Sequence, residues 1–217
     1  MKTRILLVDD HQLMREGLRS LLTREPDLEV VGEAADGRTA VELATRLTPN
    51  LVVMDISMPN LNGIDATRLL RGLPNAPQVV VVSMRADKRF ASQALQAGAA
   101  GYVTKDSAFA ELVIAIRAIR DHGVYLTPRI ATLLAADYRA GTPGDATSPL
   151  SVLSIREREV LQLLVEGHAA KGIATTLHIS IKTVEAHRRR LMERLNIDNL
   201  PDLVKCALRE GLTQLEE

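Results

Sequence analysis

The run Ile5-Leu6-Leu7-Val8-Asp9-Asp10 decides how the N-terminal half of this chain folds. Four consecutive apolar residues leave no polar face, which is how a strand buried on both sides of a parallel sheet reads. The run then closes on two carboxylates, so a buried strand ends at a charged rim. The same pattern returns at Leu51–Met54, closed by Asp55, and at Val79–Val82, closed by Ser83. Shorter apolar runs stand at Leu28–Val31 and Tyr102–Val103. Amphipathic segments fill the gaps: Gln12–Arg24 (with Leu13, Leu18, Leu21 and Leu22 inward), Gly37–Leu47, Ile64–Arg71, Lys88–Ala97 and Ala108–Asp121. Five strands alternating with five helices predict an α/β, doubly wound, five-stranded parallel sheet over residues 1–123, with right-handed crossovers placing helices on both faces.

Beyond residue 123 the pattern changes. Pro128–Tyr138 is one more amphipathic piece, and Arg139 to Pro149 is crowded with Gly, Pro, Ser and Thr without periodicity. Residues 124–149 therefore read as a linker carrying a helix. From Leu150 onward strands vanish. Ser154-Ile-Arg-Glu157 fits a capping box opening a helix that carries Val160, Leu161, Leu163 and Leu164. A short helix over Lys171–Leu177 follows, then a tight turn through His178-Ile179-Ser180. A longer helix spans Ile181–Leu195 with Ser180 as N-cap, and a last one covers Leu200–Glu210. Residues 150–217 are thus predicted to be an all-α, four-helix domain.

Composition sets bounds on function. Apolar residues make up 46% of the chain, enough for packed cores, but aromatics only 2%, so packing rests on Leu, Val, Ile and Ala. Formal net charge is zero, which argues against a uniformly basic nucleic-acid binder. The one cysteine, Cys206, excludes an intrachain disulfide and a cysteine-based metal site. The N-terminus has no signal-peptide layout, and no apolar stretch approaches the roughly 18 residues that span a bilayer. A cytoplasmic location without membrane contact is the expectation.

With strand order 2-1-3-4-5, strands one and three are neighbours, and Asp9, Asp10 and Asp55 converge at their carboxyl ends, where open α/β sheets bind ligands. Clustered carboxylates repel one another unless a cation intervenes. Mg²⁺ suits them, being a hard ion content with a few carboxylates, waters and a phosphate. Ser83 and Thr104-Lys105 add a hydroxyl and a cation to the same rim. That set suits phosphoryl transfer to a carboxylate, which is mostly positioning and charge neutralisation.

In the C-terminal domain, two helices joined by a tight turn form a helix-turn-helix. Residues 182–194 hold five cations (Lys182, Arg188, Arg189, Arg190, Arg194) against two anions (Glu185, Glu193), so positive charge is focused on the second helix. At about 100° per residue, Ile181, Val184, Leu191 and Leu195 share an inward face. Lys182, Glu185, Ala186 and Arg189 share an outward one, and Arg190 and Arg194 lie where they could reach phosphates. Arg188 falls among the apolar positions, and Leu203, Leu208 and Leu212 either pair two chains or close the domain's own core.

Asp9-Asp10, Asp55, Met58-Pro59, Gly63, Ser83 and Lys105 together resemble a CheY-like (flavodoxin-like) receiver domain. Leu153-Ser-Ile-Arg-Glu-Arg-Glu-Val-Leu161, Lys171-Gly-Ile-Ala174, Ser180, Lys182-Thr-Val-Glu-Ala-His187 and Arg194-Leu195 resemble the LuxR-type helix-turn-helix of NarL/FixJ response regulators. The resemblance implies a two-component response regulator phosphorylated on Asp55 by a sensor histidine kinase. It makes Asp9, Asp10, Asp55 and the Ser57 backbone carbonyl the Mg²⁺ ligands. Ser83 and Lys105 would contact the phosphoryl group, and Tyr102 would be an aromatic switch. Double-stranded promoter DNA would be bound through Lys182, Thr183, Glu185, Ala186, Arg189 and Arg190, by a homodimer formed on phosphorylation or on DNA, with RNA polymerase as a further candidate partner. Such a protein is not an enzyme, catalysing only its own phosphoryl transfer and dephosphorylation.

Three departures from the family pattern stand out. Asp106 follows Lys105 where many receivers have a cis proline, and a cis bond there would cost about 3 kcal/mol. Ala169-Ala170 replaces a common Ser-Asn. Glu185 would accept from cytosine rather than pair with guanine. Two other classes remain open on sequence. A phosphohydrolase using Asp55 as nucleophile would need a second acid nearby, where Ser57 stands. A phosphorylation-independent adaptor would leave the acidic set without a task.

Overall fold

The computed structural model describes residues 2–139 and 148–213. Its first part alternates strands and helices: β1 (Thr3–Val8), α1 (Gln12–Thr23), β2 (Leu28–Ala34), α2 (Gly37–Leu47), β3 (Leu51–Asp55), α3 (Gly63–Arg71), β4 (Gln78–Ser83), α4 (Lys88–Gln96), β5 (Gly101–Thr104), α5 (Ala108–His122), β6 (Tyr125–Leu126) and α6 (Pro128–Arg139). The strands make one parallel sheet in the order β2-β1-β3-β4-β5-β6. The expected five-strand order holds, and β6 extends it as a sixth strand at the β5 edge. A two-residue strand carries too little pattern to be read from sequence. Tyr125 and Leu126 register on Gly101 and Tyr102. Residues 125–139, expected in the linker, are thus built into the first compact unit. Residues 140–147 of that linker lie outside the described residues, and Pro149 already belongs to the second unit.

β1, β3 and β4 are buried almost throughout. Alternate residues feed two layers. Ile5, Leu7, Leu51, Val53, Val80 and Val82 share a core with Leu18 and Leu22 of α1 and with Leu112, Ile116 and Ile119 of α5. The residues between them, Leu6, Val52, Met54 and Val81, are as fully buried on the opposite face. One inward assignment on α1 fails: Leu13 is 84% exposed. Met14, Leu18 and Leu22, spaced four apart, form the true inner stripe, and Leu13 falls about 140° from Leu18 on the wheel.

The second unit has a 3₁₀ turn (Pro149–Val152), α7 (Ile155–Val165), α8 (Ala170–Thr176), α9 (Ile181–Leu195) and α10 (Leu200–Glu210). Ser154 and Glu157 form the expected reciprocal capping box on α7. Ser180 caps α9 by accepting from the Thr183 N–H at 3.1 Å. Leu150, Leu153, Val160, Leu161, Leu163, Ile173, Leu177, Val184 and Leu191 make its core. Leu203 and Leu212 belong to that core as well, while Leu208 is half-buried.

Candidate functional site

Register alone brings the rim residues together. Val8 pairs with Met54, so Asp9 and Asp55 leave adjacent strands at the same level. Asp55 pairs with Val82 and Ser83 with Thr104, which sets Ser83 and Lys105 one step further along the next two strands. Asp9, Asp55, Ser83 and Lys105 are all buried, at 3%, 3%, 2% and 8% exposure. Charged groups that deep must be paired. Lys105 Nζ lies 2.8 Å from Asp9 Oδ2 and 2.9 Å from Asp55 Oδ2, bridging the two acids. The other Asp55 oxygen accepts from the Ile56 N–H at 2.8 Å.

Burial pushes the Asp55 carboxyl up from its ordinary value, the Lys105 charge pulls it down, and Asp9 and Asp10 add to the rise, leaving it at about 6. Burial by itself would lower Lys105, but Asp55 and Asp9 outweigh it and hold the ammonium above the usual lysine range. The site is therefore short of positive charge even with its lysine in place.

Asp10 is less buried than Asp9, and the residue after it joins the cluster. His11 Nδ1 stands 2.7 Å from Asp10 Oδ1. One ligand atom from each of Asp9, Asp10, His11 and Asp55 falls within 4.8 Å of the others, so the group could hold a metal ion. The sequence reading missed His11; its place directly after the acid pair was the available signal. Ser57 is half-buried two residues past Asp55. Ser83 Oγ accepts from the Arg85 N–H at 3.1 Å. Tyr102 is fully buried and its hydroxyl donates to the Arg85 carbonyl at 2.6 Å. Burial raises that phenol to about 12, so it stays a donor. No peptide bond among the described residues is cis, so the Lys105–Asp106 link is trans.

Gly63 begins α3 against the back of this site. Its N–H donates to the Ile56 carbonyl at 2.8 Å, and a Cβ built on it would stand 1.8 Å from the Asp55 carbonyl oxygen. Only glycine fits there.

The second unit offers a different surface. Lys182, Glu185, Arg189 and Arg190 are exposed on α9, and Thr183 and Ala186 are half-buried. The Thr183 hydroxyl meets the capping Ser180 hydroxyl at 2.8 Å. Glu185 lies 3.9 Å from Arg188, whose stem sits in the half-buried flank. One expectation is corrected. Ile181 is 50% exposed, because the first turn of α9 runs past the edge of the core. Arg194 keeps its side chain half exposed while pairing with the buried Glu157 at 2.7 Å and donating to the Val152 carbonyl at 3.2 Å, which ties α9 to the start of α7.

Residues 5–117 match the response regulator receiver domain, and residues 151–207 match the bacterial regulatory proteins of the luxR family. DegU of Brevibacillus brevis, a transcriptional regulatory protein, is 34% identical over 97% of this chain and 94% of its own length. The chain belongs to the NarL/FixJ family of response regulators. The response regulator GacA of Pseudomonas aeruginosa is 38% identical over 96% of the chain and 97% of its own length. Among solved structures, a LuxR-family two-component response regulator from Aurantimonas sp. SI85-9A1 matches with TM-score 0.60 and 44% identity, covering 64% of this chain and 99% of that one. The Salmonella typhimurium RcsB response regulator, studied for its conformational dynamism in DNA interaction, matches at TM-score 0.59 and 26% identity over 94% and 97%. This response regulator therefore joins a receiver to a LuxR-type DNA-binding domain, an architecture for regulating transcription rather than for turning over a substrate. Among the described residues, no helix is long and apolar enough to cross a membrane.

Proposed function

We propose that this response regulator accepts a phosphoryl group on Asp55 from a sensor histidine kinase in a Mg²⁺-dependent reaction, and that the modified chain binds promoter DNA through α9. The observation that carries the reading is the buried Asp55, charged beside Asp9 and Asp10 with one lysine for compensation. An Asp55 oxygen attacks the phosphorus of the kinase phosphohistidine. The O–P bond forms as the N–P bond breaks, and the imidazole leaves with the electron pair and takes a proton. Lys105 exchanges its bridge to Asp55 for a phosphoryl oxygen, and Ser83 offers its hydroxyl to another. Asp9, Asp10 and Asp55, with the Ser57 carbonyl, would hold Mg²⁺, which supplies charge neutralisation for the incoming phosphoryl group. Attack of water on the acyl phosphate reverses the state and releases inorganic phosphate, the only turnover the receiver performs.

Moving Ser83 displaces the Arg85 backbone that it caps, and the Tyr102 hydroxyl that leans on the Arg85 carbonyl follows. Tyr102 thereby couples the chemistry to the β4–α4 surface. The signal crosses residues 124–149 to the C-terminal domain, which binds a two-fold site as a homodimer. Glu185, Ala186 and Arg189 face base edges, Lys182, Thr183 and Arg190 the backbone, and RNA polymerase is the downstream contact. The whole sequence of events belongs in the cytoplasm.

Acetyl phosphate with Mg²⁺ tests the acceptor. Label should appear on the peptide carrying Asp55 and vanish in Asp55→Asn; equal labelling of that variant would contradict the assignment.

A further inference from the structure

We propose that His11 is a side-chain ligand of the same cation site, and that its imidazole tilts the site from Mg²⁺ towards first-row transition cations, with Mn²⁺ the nearest in demand. This rests on the reading of Asp9, Asp10 and Asp55 as metal ligands. Among the described residues, Asp9, Asp10, His11 and Asp55 are the one group of three or more candidate donors gathered closely enough for an ion. Donors about 2.1 Å from one ion lie at most about 4.2 Å apart. The four atoms already lie within 4.8 Å of one another, so contraction by a few tenths of an ångström suffices.

Among the described residues, the one side-chain hydrogen bond of His11, between Nδ1 and Asp10 Oδ1, is with a prospective ligand of the same ion. His11 stands at the N-cap of α1, yet its side chain makes no capping hydrogen bond. Its backbone N–H donates to Asp9 Oδ1 at 2.9 Å, which fixes the residue beside the acids. The side chain is 67% exposed, with Nδ1 at 2.7 Å from Asp10 Oδ1 and 3.4 Å from Asp9 Oδ1. A nitrogen that close to two prospective oxygen ligands, on an exposed side chain, stands where a third donor would approach from solvent. Imidazole is a borderline-soft ligand. It adds little for Mg²⁺, which prefers oxygen and keeps its waters, and more for transition cations, whose affinities at mixed nitrogen–oxygen sites rise from Mn²⁺ onward.

The full chain titrated with Mn²⁺, followed by electron paramagnetic resonance and by Mg²⁺ competition, tests this. One saturable Mn²⁺ should show nitrogen hyperfine coupling from a directly bound imidazole. His11→Ala should abolish that coupling and lower the Mn²⁺-to-Mg²⁺ affinity ratio by about tenfold. No nitrogen coupling in the native chain, coupling that survives in His11→Ala, or an unchanged ratio would each overturn the role of His11 while leaving the carboxylate site standing. Asp10→Asn separates the two ideas: it should abolish saturable binding of both ions. A native chain that binds neither ion would remove the underlying reading, and His11 with it.

Discussion

Asp55→Asn should make the receiver more stable at neutral pH without divalent ions. The folded chain raises Asp55 from 3.8 to about 6, with burial the largest cause and Lys105 opposing it. A group whose folded pKa exceeds its unfolded value contributes stability fully below the unfolded pKa, and that contribution is lost as pH rises through the folded pKa. Two units at about 1.4 kcal/mol each put the loss at roughly 3 kcal/mol near pH 7.5, and at about half of that near pH 5. The attraction of Lys105 is already inside that figure, and Lys105 keeps Asp9 at 2.8 Å when Asp55 is neutral. Asparagine has the shape of aspartate, so packing changes little. All three tyrosines, Tyr102, Tyr125 and Tyr138, precede the C-terminal domain, and there is no tryptophan. Tyrosine fluorescence in a urea titration therefore follows the receiver alone. The variant should exceed the wild type by about 2–3 kcal/mol near neutral pH, less in acid, and Mg²⁺ should narrow the gap by stabilising only the wild type. A variant that is less stable near neutral pH, or a gap that does not grow with pH, would refute the claim that Asp55 is charged at a cost.

Gly63→Ala should destabilise the receiver by about 1–3 kcal/mol and slow acetyl phosphate labelling, because the new methyl meets the Asp55 and Ile56 backbone rather than a side chain that could yield. Urea midpoints and labelling rates check it, and wild-type values for both would contradict the packing argument. Arg189→Ala should leave the fold intact, since the side chain is exposed, and weaken specific DNA binding by about 1–3 kcal/mol. Fluorescence anisotropy with specific and random duplexes decides; equal losses on both would make Arg189 a phosphate contact instead of a base contact.

The sheet and its acidic rim were legible because both are written locally. A buried strand needs an unbroken apolar run, and the residue ending the run is the one that reaches the rim, so Asp9, Asp55, Ser83 and Lys105 could be read before any packing was known. The capping box at Ser154 was equally local. What escaped depended on partners far away in the chain. The pairing of Arg194 with Glu157, 37 residues earlier, could not be read because nothing local makes the two neighbours. β6 is a strand only because Gly101 and Tyr102 offer it an edge. Leu13 and Ile181 failed for simpler reasons: Leu13 lies off the Met14–Leu18–Leu22 stripe, and Ile181 sits in a first helical turn that runs past the core. His11 was passed over although it directly follows the acid pair, because only the fold shows its imidazole 2.7 Å from Asp10.

Phosphorylation of Asp55 should control DNA binding. Selection of bound sequences from random duplexes by the full chain, with and without acetyl phosphate and Mg²⁺, measures it directly. A two-fold symmetric motif should be recovered, strongly enriched by the phosphodonor, with the enrichment lost in Asp55→Asn. The same motif recovered to the same extent with and without the donor, or no motif at all, would contradict it.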